Sequence, residues 1–332
     1  MEVLALADDL TGALEAGAKF AAAGVRTVVT LGGNLPAGVP VVVVDTQSRH
    51  LPAEEAAGRV FDLARAAFEA GARMVYKKTD STLRGNIGAE LGAVVRASGG
   101  TELVYAPAYP AMGRTVRQGC LYVDGVPVSE TAFARDTLNP VSESSIVRVL
   151  AGQTSAPIRV WDGETDADIE AAARAAIPAR MAAGPAAMAE ALAALLPLER
   201  TATPGWPAMR RALVVNGSLH EASRCQVAHA RANGWSSGWP WRLLAKSDRR
   251  AVRQTMQGGR PDALVVFGGD TAFGILRNMG LPAIEPIREI LPGVPLSRIA
   301  RGGRNLYLIT KAGGFGPPDV LTRIRAIIEK GS

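Results

Sequence analysis

Residues 76–86 read Tyr-Lys-Lys-Thr-Asp-Ser-Thr-Leu-Arg-Gly-Asn and directly follow the apolar, strand-like run Met74-Val75. The stretch concentrates ammonium, guanidinium, carboxylate, hydroxyl and amide groups at the point where a strand ends. In an open α/β sheet, ligands bind in the crevice outside the carboxyl ends of the strands. The stretch therefore predicts an α/β sheet, and it predicts that a small polyhydroxy acid binds at this strand end.

The residue types in this stretch suit such a ligand. Arg84 can form a forked pair with a carboxylate, and Lys77 or Lys78 adds a mobile point charge. Asp80 is suited to accept or steer a hydroxyl proton. The alternative is a helix start, with Ser81 or Asp80 as the cap and Arg84 in solvent. Capping explains one or two of these residues but not the density of cations, so a binding site is favoured.

Composition predicts the fold class. The chain has 332 residues, enough for two domains with full cores, and is 48% hydrophobic but only 5% aromatic. Val-rich strands and Ala-rich helices of this kind are typical of α/β layers. We expect two domains, each a mostly parallel sheet flanked by helices, with a ligand cleft between them.

The charge indicates small anionic ligands rather than nucleic acid. The net charge is +6, from 37 basic and 31 acidic residues. The basic residues are scattered arginines without interleaved aromatic residues. The densest cluster, residues 246–253, is typical of a solvated helix face. Attraction of anionic small molecules is the more economical use of this charge.

The amino-terminal sequence and the cysteines predict a cytoplasmic protein with no membrane partner. The first residues lack a charged n-region, and their apolar run is broken at Asp8-Asp9, so we expect neither a signal peptide nor a membrane span. The two cysteines, Cys120 and Cys225, are too few for a disulfide framework or a zinc ribbon.

Strands and helices alternate through the first 200 residues. Several predicted strands end in polar or turn-rich loops, which lie on one edge of a doubly wound sheet. The Asp124-Gly125 pair predicts a hairpin over residues 119–126 with a type I′ turn. The predicted strands are 3–7, 27–31, 41–44, 74–76, 103–105 and 158–161; the predicted helices are 13–23, 53–70, 166–176 and 186–195.

The alternation restarts after a proline-rich stretch. Residues 197–207 carry three prolines and a glycine, which predicts a linker between domains 1–200 and 208–332. The strands predicted beyond it are 212–215, 263–267 and 306–309, and the helices include 221–232 and 319–329.

Three glycine-containing turns follow the predicted strands of the second half. Together they predict a phosphate cradle for a nucleotide, because glycine lets backbone N–H groups approach anionic oxygens. Ser218 and Thr271 can donate hydroxyls to phosphate, and Lys311 can neutralise its charge. Asp270 is a candidate ligand for Mg²⁺. The turns are residues 216–218, 268–271 and 311–316.

Other common site patterns are missing from the sequence. It contains neither a P-loop G-x-x-x-x-G-K-[ST] nor a G-x-G-x-x-G fingerprint, which disfavours P-loop NTPases and dinucleotide oxidoreductases. His220 and His229 lack metal-ligand spacing, and with His50 they are more typical of surface or supporting residues.

The chain resembles the four-carbon acid sugar kinase family, which has a sugar-binding N-terminal domain and a nucleotide-binding C-terminal domain. The resemblance runs in order through nearly the whole chain, and the Asp-Ser-Thr-Leu-Arg-Gly-Asn string is its most specific part. The matching segments are residues 7–13, 48–49, 78–86, 107–110, 113–114, 216–218, 268–272 and 311–316.

The resemblance implies ATP-dependent phosphorylation of a terminal hydroxyl on threonate, erythronate or a 3-oxo-tetronate. It implies ATP and Mg²⁺ as cofactors, and a homodimer is common among metabolic enzymes of this type. The implied substrate contacts are Asp8, Asp9, Arg49, Lys78, Thr79, Asp80, Ser81 and Arg84. The implied nucleotide contacts are Ser218, Gly268, Gly269, Asp270, Thr271, Gly313 and Gly314, with Lys311 nearby.

Two questions stay open from the sequence. Either Asp9 or Asp80 is the catalytic group that orients the attacking hydroxyl or accepts its proton. For Asp8-Asp9, the structural alternative is a helix cap plus a buried, hydrogen-bonded carboxylate. The interval between Ser218 and Gly268 is shorter than is usual in the family, so a catalytically silent sugar-acid-binding or regulatory homologue is the alternative function.

Overall fold

The computed structural model describes residues 1–100, 102–136, 138–235, 238, 241–259, 261–281, 283–301 and 303–330. The chain forms two compact units, Met1–Thr201 and Ala202–Ser332. Both are layered α/β structures, which confirms the predicted fold class. Among the described residues, every helix is too short or too polar to cross a lipid bilayer.

The first unit is built on a parallel sheet with helices packed against it. Its helices are α1 (Leu10–Ala22), α2 (Ala53–Glu69), α3 (Ile87–Ala97), α4 (Ile146–Ala151), α5 (Asp166–Ala176) and α6 (Ala186–Leu195). Its strands are β1 (Val3–Ala7), β2 (Thr27–Leu31), β3 (Val41–Asp45), β4 (Met74–Lys78), β5 (Leu103–Tyr105), β6 (Arg114–Arg117), β7 (Cys120–Val123), β8 (Val126–Pro127), β9 (Ile158–Val160) and β10 (Met181–Gly184). The parallel sheet has the order β2-β3-β1-β4-β10-β5-β9, and β6, β7 and β8 form a small antiparallel sheet.

The second unit has its own sheet, parallel on one side and antiparallel on the other. Its helices are α7 (Glu221–Ala232), α8 (Arg249–Gln254), α9 (Gly269–Asn278) and α10 (Val320–Lys330). Its strands are β11 (Ala212–Asn216), β12 (Trp241–Ala245), β13 (Ala263–Phe267), β14 (Ala283–Leu291), β15 (Val294–Arg301) and β16 (Arg304–Lys311). They lie in the order β12-β11-β13-β16-β15-β14; the first four are parallel, and β15 is antiparallel to both of its neighbours.

The sequence predicted the buried parallel strands best. The bounds of β1, β2, β5, β13, α5, α6 and α7 are as predicted. Val41 to Val44 of β3 are fully buried, as expected for a parallel strand covered on both faces. The Asp124-Gly125 turn is also confirmed, because both residues have positive φ, 51° and 81°, as a type I′ turn requires.

Several strands were not predicted. The β10 sequence, Met-Ala-Ala-Gly, lacks the β-branched and aromatic residues that favour strands. β14 contains a proline and charged residues, and its antiparallel partner β15 was missed with it. The strands β12 and β6 were missed as well, because their short segments give no clear alternation.

Candidate functional site

The carboxyl ends of four neighbouring strands of the first unit lie side by side. Asp45 of β3 and Lys78 of β4 both pair with Ala7 of β1, and Gly184 of β10 pairs with Lys78. From β1 the chain proceeds to β2 and β3 on one side of the sheet and then to β4 on the other. Ligands of open α/β sheets bind at such a switch point, and the loop that begins at Asp8 starts there.

Arg49 contacts three carboxylates at this edge of the sheet. Its Nε and Nη2 donate to Asp8 Oδ2 and Oδ1 at 2.6 and 2.9 Å, and its Nη1 donates to Asp9 Oδ2 at 2.6 Å. Asp80 Oδ2 lies 3.6 Å from Nη2. The backbone N–H of Gly12 donates to Asp9 Oδ1 at 2.8 Å and so caps α1. The helix-cap and buried-carboxylate alternative is therefore part of the geometry, because Asp9 is the cap and Asp8 is buried.

These buried groups remain charged. Burial acts to raise the pKa of Asp8, but the positive charges of Arg49 and Lys77 outweigh it and hold the pKa below its usual value. Burial acts to lower the pKa of Arg49, and the negative charges of Asp8, Asp9 and Asp80 raise it well above its usual value instead.

Asp80 is enclosed by its own loop. Its Oδ1 accepts from the backbone N–H and the hydroxyl of Thr82, at 2.9 and 2.5 Å, and from Arg84 Nε at 3.1 Å. Its Oδ2 accepts from Arg84 Nη2 at 2.7 Å. Burial acts to raise its pKa, but Arg84 and Arg49 hold the pKa of this carboxyl well below its usual range. Asp80 is therefore a poor proton acceptor and a firm anchor for Arg84.

The predicted helix cap lies elsewhere. Helix α3 begins at Ile87 with Asn86 at the cap position, so neither Ser81 nor Asp80 caps it. Arg84 is not a solvated side chain either, because it pairs with Asp80 and lies 3.4 Å from Asp136. The stretch does end at the start of α3, but the caps and the solvated Arg84 of the helix-start alternative are wrong.

The two lysines of β4 are both held in place. Lys77 Nζ lies 2.9 Å from Glu90 Oε2 on α3. Lys78 Nζ donates to the carbonyl of Thr79 at 3.0 Å and lies 3.5 Å from Glu15 on α1. Successive strand residues point to opposite faces of the sheet, so the two lysines pair with different helices. Neither is the mobile point charge expected from the sequence.

Glu90 supports the site and was missed from the sequence. It is buried, pairs with Lys77 and accepts a hydrogen bond from the Ser48 hydroxyl. The Ser48 and Thr46 hydroxyls are 2.7 Å apart, so Glu90 ties the loop before Arg49 to α3. A lone carboxylate among the small and apolar residues of α3 was the available signal.

Asp45 is a buried carboxyl at the same edge. Both of its oxygens accept from Gln47 Nε2, at 2.9 and 2.7 Å, and Gln47 has a positive φ of 48° that aims its amide back. Burial, together with the negative charge of Asp9, raises the pKa of Asp45 to about 8. Asp45 therefore carries a proton near neutral pH.

The remaining predicted residues of the first unit lie in the same loop. Thr79 is buried and its backbone N–H donates to Gly184 O at 3.0 Å, whereas Ser81 is half-buried. A cavity of about 750 Å³ opens beside Arg49 and Arg84. Its volume is in the range of small-molecule sites, and the side chains of Arg49 and Arg84 both line it.

The second unit repeats the arrangement of strand ends without an ion-pair network among its described turn residues. Asn216 of β11 pairs with Phe267 of β13, which pairs with Lys311 of β16. The three predicted glycine turns therefore start at the same level of the sheet. The chain places β12 and β13 on opposite sides of β11, so these turns also lie at a switch point.

The turns approach each other so closely that only glycine fits. A Cβ on Gly217 would lie 1.9 Å from Thr271 Oγ1, and one on Gly313 would lie 2.1 Å from Ser218 Oγ. Gly268 has a φ of 102° and precedes α9. The Ser218 and Thr271 hydroxyls and the first N–H groups of α9 thus converge, which is an arrangement suited to phosphate oxygens.

Lys311 is the buried cation of this edge. It is fully buried, and its Nζ donates to the carbonyl of Ala312 at 2.8 Å. The Phe315 and Phe267 ring centres lie 4.7 and 4.9 Å from Nζ. Burial lowers the pKa of Lys311 to about 7. An anion bound nearby would favour its protonated form.

The other predicted residues of the second unit lie beside α9 and α7. Gly269 and Asp270 are in the first turn of α9, and Gly314 follows Gly313 in the third turn. His220 caps α7 by accepting from the Ala222 N–H. Within the described ranges, no group of three or more His, Cys, Asp or Glu side chains is arranged to hold a metal ion.

Both parts of the chain match families of known domains. Residues 3–216 match the family described as sugar-binding N-terminal domain, and residues 241–321 match the family described as nucleotide-binding C-terminal domain. The boundary between the matches lies within the second unit, after its first strand.

Two curated relatives span nearly the whole chain. A D-threonate kinase of Bordetella bronchiseptica is 33% identical over 396 aligned residues, covering 98% of this chain and 97% of that protein. A 3-oxo-tetronate kinase of Methylobacterium radiotolerans is 27% identical over 412, covering 96% and 97%. The 332 residues of this chain cannot fill such alignments, so these relatives have segments without a counterpart here.

Solved structures share the fold. A Salmonella typhimurium LT2 protein superimposes with a TM-score of 0.77 at 21% identity, covering 97% of this chain and 98% of that one. A Bordetella bronchiseptica protein, solved as a domain-swapped dimer with bound citrate, is 32% identical with a TM-score of 0.55, covering 98% of both chains.

Proposed function

The chain belongs to the four-carbon acid sugar kinase family, and from this membership we propose that it transfers the γ-phosphate of ATP to the terminal hydroxyl of a four-carbon sugar acid. Threonate, erythronate and a 3-oxo-tetronate are the proposed acceptors. The observation that carries the proposal is the cluster of Arg49, Asp8, Asp9, Asp80 and Arg84 at the switch point of the first unit.

The first unit is proposed to bind the sugar acid. The Asp8 and Asp9 carboxylates accept hydrogen bonds from substrate hydroxyls, while Arg49 holds both carboxylates in position. Lys78, Thr79, Ser81 and Arg84 line the remainder of the binding site. The Bordetella bronchiseptica structure with citrate, a hydroxylated carboxylic acid, supports an acid as the ligand of this fold.

Asp9 is the proposed catalytic carboxylate. Asp80 is held ionised by Arg84 and Arg49 with its pKa well below the usual range, so it orients Arg84 rather than accepting a proton. The Asp9 side chain is 19% exposed, against 6% for Asp80 and 3% for Asp8. The hydroxyl oxygen bonds to the γ-phosphorus, the bond to the bridging oxygen breaks, ADP leaves, and the hydroxyl proton passes to Asp9.

The second unit is proposed to bind the nucleotide. The N–H groups of the Gly268-Gly269 turn, with the Ser218 and Thr271 hydroxyls, bind phosphate oxygens, and Gly313 and Gly314 leave room for them. Lys311 adds positive charge. Asp270 is the proposed protein ligand of Mg²⁺, which usually takes one or two carboxylates together with phosphates and water; when bound, the ion neutralises phosphate charge.

A catalytically silent sugar-acid-binding homologue is the second candidate. It is favoured by one observation: the kinase relatives have segments that this shorter chain lacks. If such a segment completes the nucleotide site, the chain binds the acid without turning over ATP.

A panel assay tests the proposal. The protein, ATP and Mg²⁺ are incubated with D-threonate, D-erythronate and a 3-oxo-tetronate, ADP formation is followed, and the phosphorylated acid is identified by mass spectrometry. We expect turnover of at least one acid, with loss of kcat in Asp9→Asn and a wild-type rate in the exposed control Asp62→Asn. Calorimetric binding of an acid without ATP binding would establish the silent homologue instead.

A homodimer is also proposed, since the Bordetella bronchiseptica relative was solved as a domain-swapped dimer. Light scattering of the purified protein tests it; a mass of 34.7 kDa, that of a single chain, would refute the dimer.

A further inference from the structure

The arginines around the first-unit site differ in how their charges are balanced. Arg49 pairs with Asp8 and Asp9, and Arg84 pairs with Asp80 and lies near Asp136. Carboxylates of the protein therefore already neutralise both guanidinium groups. An incoming sugar acid brings one more negative charge to a cluster in which carboxylates outnumber guanidinium groups, so its carboxylate needs another cation.

Arg114 is a buried cation without an ion-pair partner. It is only 7% exposed, its Nη1 donates to the carbonyl of Met112, and its Nε is buried with no acceptor among the described residues. No carboxylate in the described part of the chain lies within 4.0 Å of it. Burying a charge without a partner costs free energy. This cost indicates that a bound ligand supplies the missing negative partner.

The loop that leads to Arg114, the first residue of β6, starts at the same edge of the sheet. It follows β5, whose Tyr105 pairs with Ala183 of β10, the neighbour of β4. The backbones of Tyr109 and Arg114 exchange hydrogen bonds at 2.8 and 3.1 Å, which closes the loop. A Cβ on Gly113 would lie 2.0 Å from Asp124 Oδ1, so the loop is also fixed from outside.

The pKa shifts of the three arginines agree with this difference. Burial disfavours the charged form of each one. The carboxylates that pair with Arg49 and Arg84 outweigh it and raise their pKa values, whereas the pKa of Arg114 is lowered. The acidic groups that act on Arg114 are Asp124, Asp80 and Glu15, of which Asp80 belongs to the proposed site and Glu15 contacts Lys78.

We propose that Arg114 binds the substrate carboxylate and so selects acids over uncharged four-carbon compounds. This inference rests on the proposed function of the first unit as the sugar-acid site. Arg49 and Arg84 then act on the protein carboxylates, and Arg114 acts on the ligand, where its planar fork suits a carboxylate.

The test compares binding of D-threonate with binding of its neutral amide, D-threonamide, by calorimetry. We expect the wild-type protein to prefer the acid, and Arg114→Met and Arg114→Gln to lose roughly 10- to 100-fold of that preference. The control is Arg117→Gln, which changes an exposed arginine of the same strand, β6, and should keep the wild-type ratio.

Each outcome decides the inference. A merely structural role would weaken the acid and the amide alike, so a folded Arg114 variant with the wild-type ratio would overturn it. Arg114→Met keeps the aliphatic volume and removes an unpaired charge, so it should fold; failure of both variants to fold would also overturn the inference. Since calorimetry needs no ATP, wild-type protein that binds threonate without phosphorylating it would refute the kinase alone.

Discussion

The two units place their candidate sites alike but build them differently. Each site lies where strand order switches, at the carboxyl ends of parallel strands. In the first unit, Arg49 and Arg84 are packed against Asp8, Asp9 and Asp80 in a buried ionic network. In the second unit, the described turn residues form no ion pair, and glycines and hydroxyls converge instead.

The difference matches the proposed ligands. A sugar acid presents several hydroxyls whose direction must be read, and carboxylates held in position by arginines read direction well. Nucleotide phosphates present negative charge spread over many oxygens, for which backbone N–H groups at a helix start suffice. We therefore expect the first site to be disrupted most by removing a charge from its ionic network. We expect the second to be disrupted most by a side chain that fills the space between its turns.

The largest expected effect is that of removing the shared arginine. Arg49→Ala leaves Asp8, Asp9 and Asp80 without their common partner, and breaking a buried pair costs about 3–5 kcal/mol. We expect faster hydrogen exchange in β1 and β4 by mass spectrometry, with β11 and β13 unchanged.

The matched control for that change is Arg65→Ala. It removes an exposed pair with Glu69 and should leave exchange as in the wild-type protein. Wild-type protection in Arg49→Ala would mean that the network contributes nothing to the stability of the first unit.

The next prediction concerns the space between the glycine turns of the second unit. In Gly313→Ala, the new Cβ would meet Ser218 Oγ at 2.1 Å, and overpacking of this kind costs about 1–3 kcal/mol. We expect ATP affinity to fall at least about tenfold, since about 1.4 kcal/mol corresponds to a factor of ten, while threonate affinity stays unchanged. Gly274→Ala, where a Cβ meets nothing within 4 Å, is the control; equal ATP binding by both variants would contradict the cradle.

A further effect concerns pH and the buried amine of Lys311. Its pKa is about 7 in the folded protein and 10.5 ordinarily, so between these values the unfolded chain holds a proton that the folded chain has lost. Stability contributed by this group therefore rises with pH over that window. Lys311→Met should lack this rise when urea unfolding is measured from pH 7 to 10. If the difference in unfolding free energy between the wild type and Lys311→Met did not change with pH, the amine would titrate normally.

A pH effect of the opposite sign concerns Asp45 in the first unit. Its pKa is about 8 when folded and 3.8 ordinarily, so the folded protein keeps a proton that the unfolded chain loses. Its contribution to stability is present below about pH 4 and falls as pH rises to about 8. Asp45→Asn should remove this fall in unfolding measurements from pH 4 to 8, whereas the exposed Asp62→Asn should retain it.

Prediction from sequence worked where local pattern decides structure. The valine run of β3 suits a strand that is buried on both faces. The Asp124-Gly125 pair suits a turn that needs positive φ at both residues. It failed where a strand is defined by its neighbours, as in β10, which is short, rich in alanine and stabilised by β4 and β5 on either side.

The sequence was enough to identify the residues of the candidate site, but not which of them contact each other. Polar residues after apolar runs identified the Asp8, Arg49, Asp80 and Ser218 regions, because strand ends are where such residues can be tolerated and used. Which charge meets which depends on strand order: Arg49 reaches Asp8 across 41 positions only because β3 lies beside β1. That neighbourhood, decided by tertiary packing, is also what leaves Arg49 and Arg84 paired and Arg114 without a carboxylate partner.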